Sequence, residues 1–181
     1  MRVWRLTFLA ASLCWGSGAV WAESPNPHPT SRFVASHPDL PAVSLSPGAP
    51  LSAVLRGADV HRYSVQLSAG QFASIQLNQT GGNIVAALFD PDGKLIDLVD
   101  RSGPGHAETI DVFAKATGTY AVQTAIFGWN TPAASYSISL ARREAAGTTP
   151  GAIADQLLTG WYDRSRPGAA VAVLRGGRVV F

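Results

Sequence analysis

Cysteine is nearly missing from this chain. Cys14 is the only one among 181 residues, and it sits in an apolar run near the start. A disulfide framework is excluded, so the fold must be held by a true core. Lysine is almost as scarce, at Lys94 and Lys115 alone. An excess of one charge is lacking too. Lys and Arg number 14 against 12 Asp and Glu, and setting aside Arg2 and Arg5 of the leader leaves 12 against 12. With no net charge and no basic cluster, nothing recommends nucleic acid as a partner. No G-x-S-x-G turn is present to expose a serine nucleophile.

What is present begins with a leader. In "MRVWRLTFLAASLCWGSGAVWA" a positive start is followed by an apolar stretch, Leu6 to Trp15, and by a small residue at Ala22. This is the three-part pattern of a secretory signal peptide over residues 1–22. The apolar run is too short to cross a bilayer, so we expect no transmembrane segment after cleavage and a periplasmic or extracellular protein. Leu13 before Cys14 argues against lipid attachment. Residues 23–41 carry five prolines and no periodicity and read as an extended linker. His28 and His37 within it have no third ligand nearby and read as solvated.

From about Ala42 the period becomes two. "HRYSVQL" sets Tyr63, Val65 and Leu67 against Arg62, Ser64 and Gln66. "FASIQLNQ" sets Ala73, Ile75 and Leu77 against Ser74, Gln76 and Asn78. "ETIDVFA", "TYAVQTAIF" and "SYSISLAR" alternate likewise, while "NIVAALFD" is apolar on both faces, as a central strand is. Turn residues punctuate the runs at Ala69-Gly70, Thr80-Gly81-Gly82, Asp90-Pro91-Asp92-Gly93, Gly103-Pro104-Gly105 and Thr117-Gly118. Strands at this spacing with no helix between them predict an all-β fold, an antiparallel, jelly-roll-like β-sandwich over residues 42–143.

The pattern changes near Gly147. Thr149 is placed to cap a helix with Pro150 in its first turn, and Ile153, Leu157, Leu158 and Trp161 share one face. Gly176-Gly177 between two apolar runs predicts a β-hairpin. Residues 149–181 therefore read as a helix followed by a β-hairpin.

Few residues recommend themselves for chemistry. The "DPDG" turn lacks the later ligands of a calcium loop, and a β-turn accounts for it. Asp97, Asp100, Glu108 and Asp111 have no spacing that pairs them as acid and base, and they read as solvent-facing or loop residues. His61 and His106 have no assignable partner. Asn78-Gln79-Thr80 spells a glycosylation sequon and is read as part of a turn. Trp129, in the loop before the last strand of the sandwich, is the single candidate ligand contact: it either stacks on a sugar ring or folds over the sandwich edge. No catalytic residue, metal ligand or cofactor is assigned.

The ordered series "HRYSV", "AGQ", "DPDG", "GTY" and "SYSISL" resembles the bacterial pre-peptidase C-terminal β-sandwich, over about 100 residues. Such modules are appended to secreted hydrolases, which implies an accessory role. The stretch "IADQLLTGWYDRSRPGAAVAVLRGGRVVF" resembles the opening of the serine hydrolases that include class C β-lactamases and penicillin-binding proteins. In that family the nucleophile is the serine of an S-x-x-K motif. Here Pro91 and Val112 stand three residues before the two lysines, so no S-x-x-K exists and no catalytic role is carried over. The resemblance implies that residues 149–181 are the helix and hairpin of an incomplete α+β domain, poorly packed or loosely docked on the sandwich, in a truncated precursor whose partner is a downstream catalytic domain acting on an amide, ester or lactam through an acyl-enzyme. Two other roles remain open for the sandwich: a binding module for glycan or cell wall, or a spacer and folding aid.

Overall fold

The computed structural model describes residues 37–128, 131–159 and 170–181. The leader, most of the linker, Trp129 and Trp161 lie outside the described residues.

Nine strands build two sheets: β1 (Ala42–Ser44), β2 (Leu51–Arg56), β3 (Val60–Leu67), β4 (Gln71–Gln79), β5 (Ile84–Phe89), β6 (Leu95–Val99), β7 (Ala107–Phe113), β8 (Gly118–Ile126) and β9 (Ala133–Ala145). One sheet runs β1-β3-β8-β5-β6 and the other β2-β9-β4-β7. Apart from β1, which adds parallel to β3, all these pairings are antiparallel. The orders 2-9-4-7 and 3-8-5-6 are those of a jelly roll, the double-sheet solution that the turn spacing anticipated.

The core lies between the sheets. Tyr63, Val65 and Leu67 of β3, Ile75 and Leu77 of β4, and Tyr120, Val122 and Ile126 of β8 meet Ile110, Ile138 and Leu140 there. β5 is buried along its whole length, as an interior strand apolar on both faces must be. Its outward side chains, Val85, Ala87 and Phe89, join Ala121 and Ala125 of β8 in a second cluster.

Three departures from simple alternation have local causes. A bulge between Ser74 and Ile75 gives β9 an extra residue and puts Arg142 opposite Ser74. Arg142 then covers the outward Phe72, 5.0 Å from its ring centroid, and Phe113 packs on Phe72 at 4.8 Å. That explains why Phe72 and Ser74 are buried on a face expected to be solvated. Glu108 is also buried rather than solvent-facing, because its carboxylate accepts the backbone N–H groups of Arg101 and Ser102 and latches the loop after β6. Gln79 similarly accepts from Ile84 N and donates to Ser102 O.

β9 continues to Ala145, two residues past the expected end of the sandwich, and leads to α1 (Pro150–Leu158). Thr149 Oγ1 accepts from Ala152 N at 3.2 Å, the cap expected there. The helix is tied rather than loosely docked. Arg142 donates to the Gln156 carbonyl and to Thr159 Oγ1. Gln156 donates to Glu144 Oε1 and Ala145 O, and accepts from Gly147 N. Of the helix residues only Ala154 is buried, whereas Ile153, Leu157 and Leu158 are half-covered. The hairpin pairs β10 (Leu174–Arg175) with β11 (Arg178–Val179), and Gly176 and Gly177 both take positive φ, 56° and 78°, as a two-residue turn of this hand requires.

Candidate ligand-binding surface

The outer face of the four-stranded sheet carries a shallow trough of about 390 Å3. Its lining is Ser52, Ala53 and Val54 of β2, Ser135, Tyr136 and Ser137 of β9, and Thr80. Strand alternation puts the serines there: Ala134, Tyr136 and Ile138 turn into the core, so Ser135 and Ser137 turn out. Register brings the rest alongside. Ser52 stands opposite Ser137, which stands opposite Asn78, and Val54 stands opposite Ser135. The Ser135 carbonyl accepts from both Thr80 N and Thr80 Oγ1, at 2.9 and 3.0 Å. Among the described residues no charged side chain lines the trough.

Beneath it Tyr136 ties the two sheets together. Its Oη lies 2.7 Å from Tyr63 Oη, 2.9 Å from Thr124 Oγ1 and 2.8 Å from His61 Nδ1. Burial pushes both phenols above the usual tyrosine range, so neither is a nucleophile at neutral pH. His61, for which the sequence offered no partner, is thus a structural hydrogen-bonding residue. His106 bonds the Pro104 carbonyl at 3.1 Å.

The acidic residues separate. Asp90 Oδ1 accepts from Asp92 N and Lys94 N, closing the "DPDG" turn on itself. Asp97 pairs with Arg101 at 2.9 Å, and Asp100 accepts from Asn83. Asp111 shares its row with Ser74 and is held above the usual carboxylate range by burial, against the Ser74 hydroxyl and the nearby Arg142 and Arg101. No group of three His, Cys, Asp or Glu able to hold a metal occurs among the described residues. Trp129 lies outside the described residues, but the ends of its loop are placed. Phe127 N bonds Asn83 O, Gly57 N bonds Pro132 O, and Thr131 lies against Gly82. The described flanks, Phe127 and Thr131, therefore lie beside Asn83 and Gly82.

Sequence reasoning did not single out the trough. Its signal was the alternate serines of "ASYSISL", but the strand that completes it, β2, is some 80 residues away, at 51–56.

Strand order and surface together define a two-sheet antiparallel jelly-roll module with a shallow trough on one outer face. Residues 59–124 match the family "Bacterial pre-peptidase C-terminal domain". The match runs from the start of β3 into β8; β2 and β9, which line the trough, flank it. Among solved structures, the chain is similar to the pre-peptidase C-terminal domain of a Bacillus anthracis collagenase, at 13% identity and TM-score 0.45, covering 55% of this chain and 94% of that one. It is also similar to the periplasmic inhibitors of g-type lysozyme from Aeromonas hydrophila, at 18% identity and TM-score 0.39, covering 57% and 96%. The inhibitor from Salmonella Typhimurium gives 23% identity and TM-score 0.37, covering 54% and 94%. No curated protein matches the chain. No helix among the described residues is long and apolar enough to cross a membrane.

Proposed function

We propose that this chain is the non-catalytic accessory region of an exported, β-lactamase-related serine hydrolase, with the sandwich preceding the first helix and hairpin of the hydrolase domain. The observation that carries the reading is the state of the hairpin. Leu174, Val179, Val180 and Phe181 are 61%, 68%, 49% and 49% exposed. β10 and β11 pair only with each other among the described residues. An isolated two-stranded hairpin with apolar faces is marginal in water and gains most by joining a larger sheet. The leader-like N-terminus supports export to the periplasm or beyond.

The hydrolase domain would supply the S-x-x-K serine and form the acyl-enzyme; neither lysine of this chain has a serine three residues before it. Two measurements test the reading. Purified residues 23–181 should neither turn over a chromogenic cephalosporin nor be labelled by a penicillin-type probe; stoichiometric labelling refutes the non-catalytic assignment. The reading frame beyond codon 181 should encode S-x-x-K soon after the hairpin, and its absence refutes the hydrolase assignment.

A further inference from the structure

Among the described residues, three of the four edge strands of the sandwich are guarded and one is open. β1 is only three residues long. β6 carries a bulge opposite Leu88 and Phe89, and its Asp97 is paired with Arg101. β7 has its Thr109 carbonyl taken by Arg101 and a carboxylate, Asp111, in mid-strand. Short edges, bulges and charges are how sheets avoid pairing edge to edge. β2 has none of these: from Leu51 to Leu55 it carries no charge, no proline and no bulge. We propose that β2 is the interface for a second copy of this chain, paired antiparallel about a two-fold axis at Ala53. The two four-stranded sheets then join into one continuous sheet.

The free backbone groups select that register. In an antiparallel ladder, alternate residues turn their N–H and C=O to opposite neighbours. Gly57 N donates to Pro132 O, the pairing next after Arg56 with Ala133, so the odd-numbered residues of β2 face β9. Ser52, Val54 and Arg56 face away from it. Arg56 is already bonded: its N–H donates to Asp59 Oδ2 at 3.1 Å, and its carbonyl accepts from Asp59 N at 2.9 Å. That leaves the N–H and C=O of Ser52 and Val54, which no hydrogen bond takes among the described residues. An axis at Ala53 puts Ser52 opposite the partner's Val54 and Val54 opposite the partner's Ser52, and each pair exchanges two hydrogen bonds. Every free group is then used. The same axis sets Arg56 opposite Pro50, which has no N–H, so the ladder ends where its groups end. An axis at Val54 would oppose Ser52 to the occupied Arg56, and an axis at Ser52 would oppose Val54 to Pro50.

The side chains agree with the backbone. Leu51, Ala53 and Leu55 turn inward, and Leu51 and Ala53 are only half-buried against the core at this edge. In the dimer Leu51 meets the partner's Leu55, and the two Ala53 side chains meet at the axis, which extends the apolar layer from one sandwich to the next. On the outer face Ser52 meets Val54, which is 42% exposed in one copy. No like charges stand opposite one another. Two six-residue strands meet along about 20 Å, well short of the roughly 1,200 Å2 that stable interfaces bury. The dimer is therefore weak, with a dissociation constant of about 0.1–1 mM.

The test uses residues 23–181, a stretch without cysteine. Sedimentation velocity between about 10 μM and about 1 mM should show the mass rising toward two chains. The two Ala53 residues form a non-hydrogen-bonded pair with Cα atoms about 4.5 Å apart, within the span a disulfide bridges. Ala53→Cys should therefore cross-link under mild oxidation about tenfold faster or more than Gln76→Cys, an exposed position in the middle of the sheet. Val54→Pro removes an edge N–H without breaking a bond to β9, and Val54→Lys brings a charge to the axis. Each should keep the circular dichroism of the wild type and remain one chain at every concentration; two variants are used so that one stands if the other folds poorly. A wild-type mass of one chain throughout, equal cross-linking of A53C and Q76C, or dimers of folded V54P and V54K overturn the proposal. None of these results bears on the acylation and reading-frame tests of the hydrolase assignment.

Discussion

Tyr136→Phe is the sharpest test of how the two sheets are held. One phenolic hydroxyl has one proton to give and two lone pairs to receive, and three groups crowd Tyr136 Oη: Tyr63 Oη, Thr124 Oγ1 and His61 Nδ1. Its capacity is saturated. Removing the oxygen leaves the ring, so little apolar burial is lost. It does strand two hydroxyls in the core, because Tyr63 is 4% exposed and Thr124 fully buried. A buried polar group left without a partner costs about 1–3 kcal/mol. His61 is half-buried and recovers water. With some relaxation around Thr124, the loss should be about 2–4 kcal/mol. For a domain of this size each kcal/mol lowers the melting temperature by roughly 4–8 °C, which gives a fall of roughly 8–32 °C by circular dichroism. Tyr63→Phe alone should cost less, and added to Tyr136→Phe it should cost almost nothing, since its hydroxyl is already stranded. The coupling should therefore reach about 0.5–3 kcal/mol. Because burial raises both phenols, folding favours their neutral forms. That contribution is intact below the unfolded tyrosine pKa of about 10 and declines as pH climbs above it, more steeply in wild type than in Tyr136→Phe. A loss under about 0.5 kcal/mol, or strict additivity of the two variants, would refute the reasoning.

Three further outcomes follow from single side chains. Gln123 is fully buried, with both amide atoms lacking a hydrogen-bond partner; Gln123→Leu should stabilise the protein by about 1–3 kcal/mol in urea unfolding, and a loss would show that the amide is satisfied. Asp111 is held protonated to higher pH by burial, so its share of stability is full below the unfolded carboxylate pKa and lost as pH rises through the folded value. Asp111→Asn should gain stability at pH 7 relative to pH 4; a larger loss at pH 7 than at pH 4 would mean that Arg142 and Arg101 dominate. Arg142→Ala removes the guanidinium that bonds the Gln156 carbonyl and Thr159 at the end of α1 and that covers Phe72; amide exchange in residues 153–158 should quicken about tenfold or more, exceeding the change in the strands, and unchanged exchange would contradict the tie.

What the sequence made legible was local. The hairpin turn needs two positive-φ residues in succession, and Gly176-Gly177 announces them. The helix start needs Thr149 and Pro150, three residues from the amide that Thr149 caps. Strands such as Val60–Leu67 show their two faces in their own text. The sites that escaped depend on partners far along the chain. His61 meets Tyr136 across 75 positions. Phe72 and Ser74 are covered because a bulge on β9 re-aims Arg142. Glu108 is buried because a loop six and seven residues upstream turns its amides inward. The trough exists only once β2 lies beside β9. Periodicity reports which face a residue takes, not which strand stands next to it.

The tie between α1 and β9 decides how the chain leaves the sandwich. A nine-residue helix is not stable alone in water and takes its order from what it docks on. Here it docks through polar bonds: Gln156 reaches the Ala145 carbonyl and the Gly147 amide, and Arg142 reaches back to the helix end. The turn between β9 and α1 is thereby pinned at both sides. Gly147 is required in it, because a Cβ there would fall 2.7–2.9 Å from the Ala152 and Ile153 backbone and the Ala152 side chain. A linker pinned in this way passes on direction rather than slack. In the proposed precursor α1 would fix the angle at which the chain leaves the sandwich. Gly147→Ala should quicken amide exchange in residues 153–158 about tenfold or more, because the turn must open to admit the Cβ. Unchanged exchange there would show that the turn takes the methyl group without opening.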